Sequence, residues 1–267
     1  MTTAPALPAT NSDVGPGPSH ANRLLAEALG TLLLVASGVG TGVFAASFPS
    51  TVNNTLGVGF LGVALAVGLA VIVGAYAFGP VSGAHLNPVV TLGLAAAGRF
   101  AWRDVAGYIV AQLAGGVVGT SVIALIASSG NGFFATARRN GFGANGFGSH
   151  SPGGFGVLGA IVVEFVFMAI FIYVVLHATA KAGVSGFAPL AIGLALTVIL
   201  LITIPVDMTG LNPARSIAAA VYAGGWAWAQ LWVFIVFPVL GGLFAGFSYK
   251  PLFRKAATAT PWARRNL

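Results

Sequence analysis

Cysteine is absent from the 267 residues, which removes disulfides, thiol nucleophiles and thiolate metal sites together and leaves no redox compartment to read. Charge is scarce as well. Only 6% of the chain is Asp, Glu, Lys or Arg, against about 25% in soluble domains, and acids are the scarcer sign, five against twelve bases. So small an ionic complement cannot coat a water-facing globule, and a soluble enzyme is excluded. No formally charged residue stands between Glu27 and Arg99, nor between Arg215 and Lys250. Uncharged apolar runs of that length belong in lipid. The net charge of +7 does not point to nucleic acid, because the bases are scattered at segment ends rather than gathered in a stripe. No nucleophile, base and orienting group recur in a recognisable set, and no phosphate-cradling glycine loop follows a strand pattern. Neither an enzyme nor a resident cofactor is indicated.

What is present is hydrophobic and broken at regular intervals. A spanning helix needs about 20 apolar residues, so the long runs must be divided, and their turn-formers show where: Phe48, Pro49, Ser50, Asn53 and Asn54 at one break, Gly79, Pro80, Ser82 and Gly83 at another. Six spans follow, over 24–46, 57–78, 104–127, 156–179, 187–206 and 229–249. Two apolar pieces, 88–98 and 213–223, are too short to cross and are expected as half-helices that enter the membrane and turn back. The fold class is therefore an all-α membrane protein of six transmembrane helices and two re-entrant half-helices. Residues 1–21, rich in Pro, Ala, Ser and Thr, are expected as a disordered tail, 22–250 as the membrane domain with repeat halves 22–127 and 156–250, and 251–267 as a second tail. Bases crowd the termini and short loops (Arg23, Arg99, Arg103, Lys181, Lys250, Arg254, Lys255, Arg264, Arg265), whereas the long loop over 128–155 carries only Arg138 and Arg139. This bias places both termini in the cytoplasm.

The chain repeats itself. Asn87-Pro88-Val89 returns as Asn212-Pro213-Ala214, Ala101-Trp102 as Ala227-Trp228, Gly115-Gly116 as Gly241-Gly242, and Glu27 in the first span pairs with Glu164 in the fourth. Three spans and one half-helix per repeat make the second repeat enter with opposite orientation, so the two half-helices approach from opposite faces and their N-termini meet near the midplane. Asn followed by Pro starts a helix: the Asn oxygen accepts a first-turn N–H, and Pro at the first helical position lacks only a donor that would be orphaned anyway. With its oxygen occupied, each Asn turns its NH₂ outward, backed by roughly half a positive charge from the helix dipole. Two such amides facing one lumen suit a neutral hydrogen-bond acceptor, oppose cations and interrupt a proton-hopping chain of water. Arg215 sits on the first turn of the second half-helix and must face water or a polar partner; its repeat counterpart is Val90, so the lumen is charged on one side of its centre only. Glu27 and Glu164, inside spans, are read as braces for the re-entrant backbone, with proton relay in a secondary transporter as the alternative. His85 supports its loop or lines the vestibule, while His20, His150 and His177 show no metal-ligand spacing and are expected at surfaces. Gly62, Gly68, Gly115, Gly116, Gly119, Gly193, Gly241, Gly242 and Gly246 are expected at close helix contacts.

Taken together, Ser82-Gly83-Ala84-His85-Leu86-Asn87-Pro88-Val89-Val90-Thr91 and Leu211-Asn212-Pro213-Ala214-Arg215-Ser216 resemble the two signature loops of the aquaporin (major intrinsic protein) family, with the resemblance running from about residue 22 to 250 and closest to the bacterial water-channel branch. The resemblance implies a channel of the plasma (inner) membrane for water that excludes protons and ions, assembled as a homotetramer among membrane lipids, with one pore per subunit. It makes Asn87 and Asn212 the central constriction and assigns the narrower extracytoplasmic filter to Arg215, the backbone carbonyl near Thr209, Val67 and Leu200. Glu27, Glu164, His85, Pro88 and Pro213 support these. Ser216 stands where glycerol-conducting relatives carry Asp. Val89 replaces the usual Ala of the first signature. Val67 and Leu200 stand where water-selective relatives carry an aromatic residue and His, which implies a wider, more apolar filter passing small neutral solutes such as ammonia, hydrogen peroxide or glycerol. A glycerol-type channel of the same family and a proton-coupled secondary transporter are the alternative readings.

Overall fold

The computed structural model describes residues 17–47, 56–180, 183–184 and 186–253. The expected break at Phe48, Pro49, Ser50, Asn53 and Asn54, the bases Lys181, Arg254, Lys255, Arg264 and Arg265, and most of both expected tails lie outside the described residues. In chain order the helices are α1 (His20–Ala45), α2 (Gly59–Ser82), α3 (Pro88–Ala96), α4 (Trp102–Ser128), α5 (Phe133–Arg139), α6 (Val157–Ala178), α7 (Ala188–Asp207), α8 (Pro213–Ala223) and α9 (Gly225–Phe253). Among the described residues there is no strand. Six of these, α1, α2, α4, α6, α7 and α9, are long and apolar enough to cross a membrane, with mean hydropathy from 1.8 to 2.6. At nine and eleven residues, α3 and α8 reach only about 14 and 16 Å, half a bilayer. The outer faces of the spans carry aliphatic and aromatic side chains such as Leu69, Val110, Leu125, Leu201 and Phe247. Such a surface is stable only where lipid or another apolar face replaces water.

Helix ends follow local chemistry. Ser19 caps α1, its hydroxyl accepting from the Asn22 N–H at 3.2 Å. The first helix therefore starts at His20, inside the segment expected as tail, and at the other end α9 continues through Phe253, past the expected limit of 250. A turn of π-helix closes α1 over Thr41–Ala45, and another interrupts α6 over Val163–Phe167, where it carries Glu164 inward.

Packing reproduces the repeat. Helix α1 lies along α4, and α6 lies along α9; α2 pairs with α7 across the two halves, α3 packs on α9, and α8 packs on α4. Each half-helix is thus clasped by the last span of the other repeat. Glycine makes these approaches possible at equivalent places. A Cβ on Gly115 would overlap the Ala28 backbone, one residue after Glu27, and a Cβ on Gly241 would overlap the Phe165 backbone, one residue after Glu164. The next glycine of each pair, Gly116 and Gly242, lies against Ala214 and Val89 of the half-helices. Among the expected close contacts Gly62 is the exception, because a Cβ there would meet only Val58 at the start of its own helix. Gly115→Val or Gly241→Val is expected to destabilise the bundle by at least the ~1–3 kcal/mol of an overpacked core. Gly42→Ala, which meets nothing within 4 Å, is the control. Thermal unfolding of the detergent-solubilised protein checks this, and equal midpoints for all three variants would contradict the packing.

Candidate pore and its constriction

The two re-entrant loops are built alike and are strained alike. Non-glycine residues adopt left-handed backbone at Ala84 and Leu86 in the first loop, and at Met208, Thr209 and Leu211 in the second. Each such residue costs about 1–2 kcal/mol, so the loops persist only because their surroundings hold them. The holding groups are carboxylates. Glu27, fully buried, accepts from the N–H groups of His85 (2.9 Å) and Leu86 (2.8 Å), from the Ser82 hydroxyl (2.7 Å) and from Gln112 Nε2 (2.8 Å). Glu164, equally buried, accepts from the N–H groups of Gly210 and Leu211, both at 2.7 Å. The two acids thus take equivalent backbone donors in opposite halves.

From each loop a half-helix begins at Asn-Pro. The Asn87 side-chain oxygen accepts from the Val89 N–H at 2.8 Å, and that of Asn212 accepts from the Ala214 N–H at 3.0 Å and the Arg215 N–H at 3.3 Å. The amides then cross the repeat. Asn87 Nδ2 donates to the Leu211 carbonyl and Asn212 Nδ2 to the Leu86 carbonyl, each at 2.9 Å. These reciprocal bonds join the two tips, and they correct the expectation that each whole NH₂ turns outward: one N–H fixes the opposite loop, and one remains on each amide. Both asparagines line the same cavity.

That cavity, about 440 Å³, extends from Arg99 and Pro189 at one end past the asparagines to Met208 and Arg215. One wall is aliphatic, because every fourth residue of α2 (Val63, Val67, Val71) and of α7 (Leu196, Leu200, Ile204) faces it. Residues of the two loops, from Gly83 to Asn87 and from Met208 to Asn212, border it as well. Val67, Leu200, Thr209 and Arg215 all border the space, as does Val90 at the position related by the repeat to Arg215. Among the described residues bordering the cavity, the one aromatic ring is that of Phe171 and the one imidazole that of His85. Arg215 is fixed by two bonds, Nη1 to Asn145 Oδ1 at 2.7 Å and Nη2 to the Met208 carbonyl at 3.3 Å. A guanidinium has five N–H donors, so further donors remain for solvent. The long loop seals this arrangement: Asn145 Nδ2 and the Gly146 N–H both donate to the Asp207 carbonyl, at 3.3 and 3.2 Å, and the Ser151 hydroxyl donates to the Val206 carbonyl at 2.7 Å.

His85 was expected to support its loop or to line the vestibule. It borders the cavity, while Nδ1 lies 3.1 Å from the Thr91 hydroxyl and its ring packs edge-on against Phe100. His20, His150 and His177 are exposed, with His150 stacked on Trp226 at 3.9 Å. Pro88 and Pro213 occupy the first positions of α3 and α8. Sequence reasoning overlooked Gln112, Asn145, Met208 and Asp207, and read Ser82 only as a turn-former and part of the first loop. Asp207 and Gln112 carried a signal, a carboxylate and an amide within apolar spans, whereas nothing in the local sequence marks Asn145.

Six crossing helices around two half-helices joined tip to tip, with a mostly uncharged lumen that Arg99 borders at one end and Arg215 at the other, define a helical membrane channel. The chain belongs to the major intrinsic protein family, which it matches over residues 17–249. It is 51% identical over 231 residues to aquaporin Z of Photorhabdus laumondii, covering 86% of this chain and 97% of that one. It is 47% identical over 233 residues to aquaporin Z of Rhodopseudomonas palustris, covering 87% and 94%. Its fold is similar to that of the X-ray structure of the aquaglyceroporin from Plasmodium falciparum, with a TM-score of 0.77 at 24% identity, over 90% of this chain and 99% of that one.

Proposed function

We propose that this integral membrane protein is a passive water channel that excludes protons and ions, and that its filter also passes small neutral solutes. One observation carries the reading: the amides of Asn87 and Asn212 are locked by each other's loops while both border one cavity. Their remaining N–H groups orient a passing water by its oxygen, turning its hydrogens away along the lumen in opposite directions. Arg215, held beside Thr209, adds a fixed positive charge that repels cations. Val67 and Leu200 contribute bulk without polarity, leaving room and no second donor, which favours ammonia, hydrogen peroxide or glycerol as additional guests. In this reading Glu27, Glu164, His85, Pro88 and Pro213 keep the half-helices in place. A proton-coupled transporter needs a carboxylate that meets the lumen, and Glu27 and Glu164 are 0% exposed, which supports the passive reading.

The functional unit is residues 22–250, assembled as a homotetramer in the plasma (inner) membrane with both termini cytoplasmic, the orientation that the base distribution favours. Arg215→Ala tests the exclusion mechanism. Wild-type proteoliposomes are expected to hold a pH gradient as long as empty vesicles, and the variant is expected to dissipate it faster while still passing water. A variant as proton-tight as wild type would overturn the role given to Arg215.

A further inference from the structure

We propose that Asp207 is held protonated and donates its carboxyl hydrogen to Glu164, so that the filter loop is fastened by a shared proton where its repeat counterpart is fastened by a hydroxyl. The inference begins from Ser82. Ser82 ends α2 and precedes Asn87 by the same step as Asp207, the end of α7, precedes Asn212. In the first loop its hydroxyl accepts from the Ala84 N–H at 3.0 Å and donates to Glu27 at 2.7 Å. In the second loop Asp207 Oδ1 accepts from the equivalent N–H, that of Thr209, at 2.9 Å. The accepting half of the role is therefore kept. The donating half requires a hydrogen, and an ionised carboxylate has none.

The surroundings call for that hydrogen. Asp207 is 0% exposed, its Oδ2 has no donor among the described residues, and the two acids accept from adjacent backbone N–H groups, Asp207 from Thr209 at 2.9 Å and Glu164 from Gly210 at 2.7 Å. Glu27 is satisfied by four donors, two from the backbone plus Ser82 and Gln112. Glu164 has the two equivalent backbone donors, but the residue repeat-related to Gln112 is Pro238, which offers none. Asp207 is the group left to supply one.

Charge balance agrees. Of the surrounding elements, α6 carries Glu164 itself and α8 carries Arg215; the long loop reaches the Asp207 backbone carbonyl through the neutral donors Asn145 and Gly146, and α9 carries no charge before Lys250. One proton on the two acids leaves a single negative charge opposite Arg215. With none, two buried like charges face one cation, and like carboxylates at such range hold a proton between them. The consequence reaches the lumen, because the loop that Asp207 and Glu164 fasten carries the Met208 carbonyl that holds Arg215. Asp207 is thus a positioning residue of the filter, and removing its proton loosens the guanidinium.

The consequence for flux rests on the water-channel reading, whereas the proton itself does not, and the experiment separates the two. Infrared spectra of the full-length protein in liposomes at neutral pH are expected to show a protonated-carboxyl band that shifts in D₂O and is lost in both Asp207→Asn and Asp207→Ser. Absence of the band from wild type, or its persistence in the variants, overturns the proposal whether or not water passes. Stopped-flow water permeability of wild type is expected to fall several-fold and reversibly as the medium is made alkaline. Asp207→Ser, which copies the Ser82 hydroxyl, is expected to give a flat profile even if the Asn variant fails to fold. Parallel profiles for wild type and Asp207→Ser would overturn the link to the filter.

Discussion

Glu27→Ala is expected to yield no stable channel. The carboxylate is the shared acceptor for the N–H groups of His85 and Leu86, the Ser82 hydroxyl and Gln112 Nε2. All four donors lie where lipid and protein leave no water to replace it, and each buried donor left unmade costs about 1–3 kcal/mol. The sum approaches the roughly 5–15 kcal/mol that separates a folded domain from its unfolded chain. The left-handed residues Ala84 and Leu86 would also lose the contact that keeps them strained. Loss of the first loop releases Asn87, and with it the bond that holds the Leu211 carbonyl of the second, so damage in one repeat reaches the other. Glu27→Gln keeps one acceptor oxygen but turns an NH₂ toward donors, and is expected to fall between. Yield of monodisperse protein and its unfolding temperature check this, and a wild-type midpoint for Glu27→Ala would contradict the bracing role.

The second large effect concerns what passes. Val67→Phe with Leu200→His is expected to reduce glycerol permeation to that of empty vesicles while water flux continues. The phenyl ring adds bulk from α2, and the imidazole adds both bulk and a polar group from α7, at two positions that face the lumen beside Arg215. A three-carbon polyol must fit between these side chains, whereas a water molecule needs far less width. Stopped-flow light scattering with glycerol as the osmolyte distinguishes the cases: wild-type vesicles shrink and re-swell, and vesicles with the double variant shrink and stay shrunken. If wild-type vesicles themselves fail to re-swell, the filter is tighter than Val67 and Leu200 imply.

The parts of this architecture that were legible in the sequence are those set by local chemistry. Asn-Pro writes its own cap, because the side-chain oxygen and the N–H it accepts are neighbours in the chain, and apolar runs without charge mark their own spans. Doubling of the motif then fixed the relation between the halves. Contacts between distant segments left no such trace. Arg215 meets Asn145 seventy residues away, and nothing in a loop rich in Gly, Asn and Phe singles out that amide. The amide of Asn87 is aimed by a carbonyl 124 residues on, which is why half of each NH₂ is engaged where cap chemistry alone leaves it free. Helix ends shifted for a related reason: Ser19 is a stronger start signal than the onset of hydrophobicity, so α1 begins at His20. Asp207 is the instructive omission, since a carboxylate at the repeat position of Ser82 gains its meaning only beside Glu164.

The most direct test is the osmotic water permeability of purified protein in liposomes, measured by stopped-flow shrinkage across a range of osmolyte gradients. Two half-helix tips sharing one aqueous file predict shrinkage far faster than in empty vesicles, proportional to the gradient without saturation. Shrinkage no faster than in empty vesicles, or flux that saturates as a carrier's does, would contradict it.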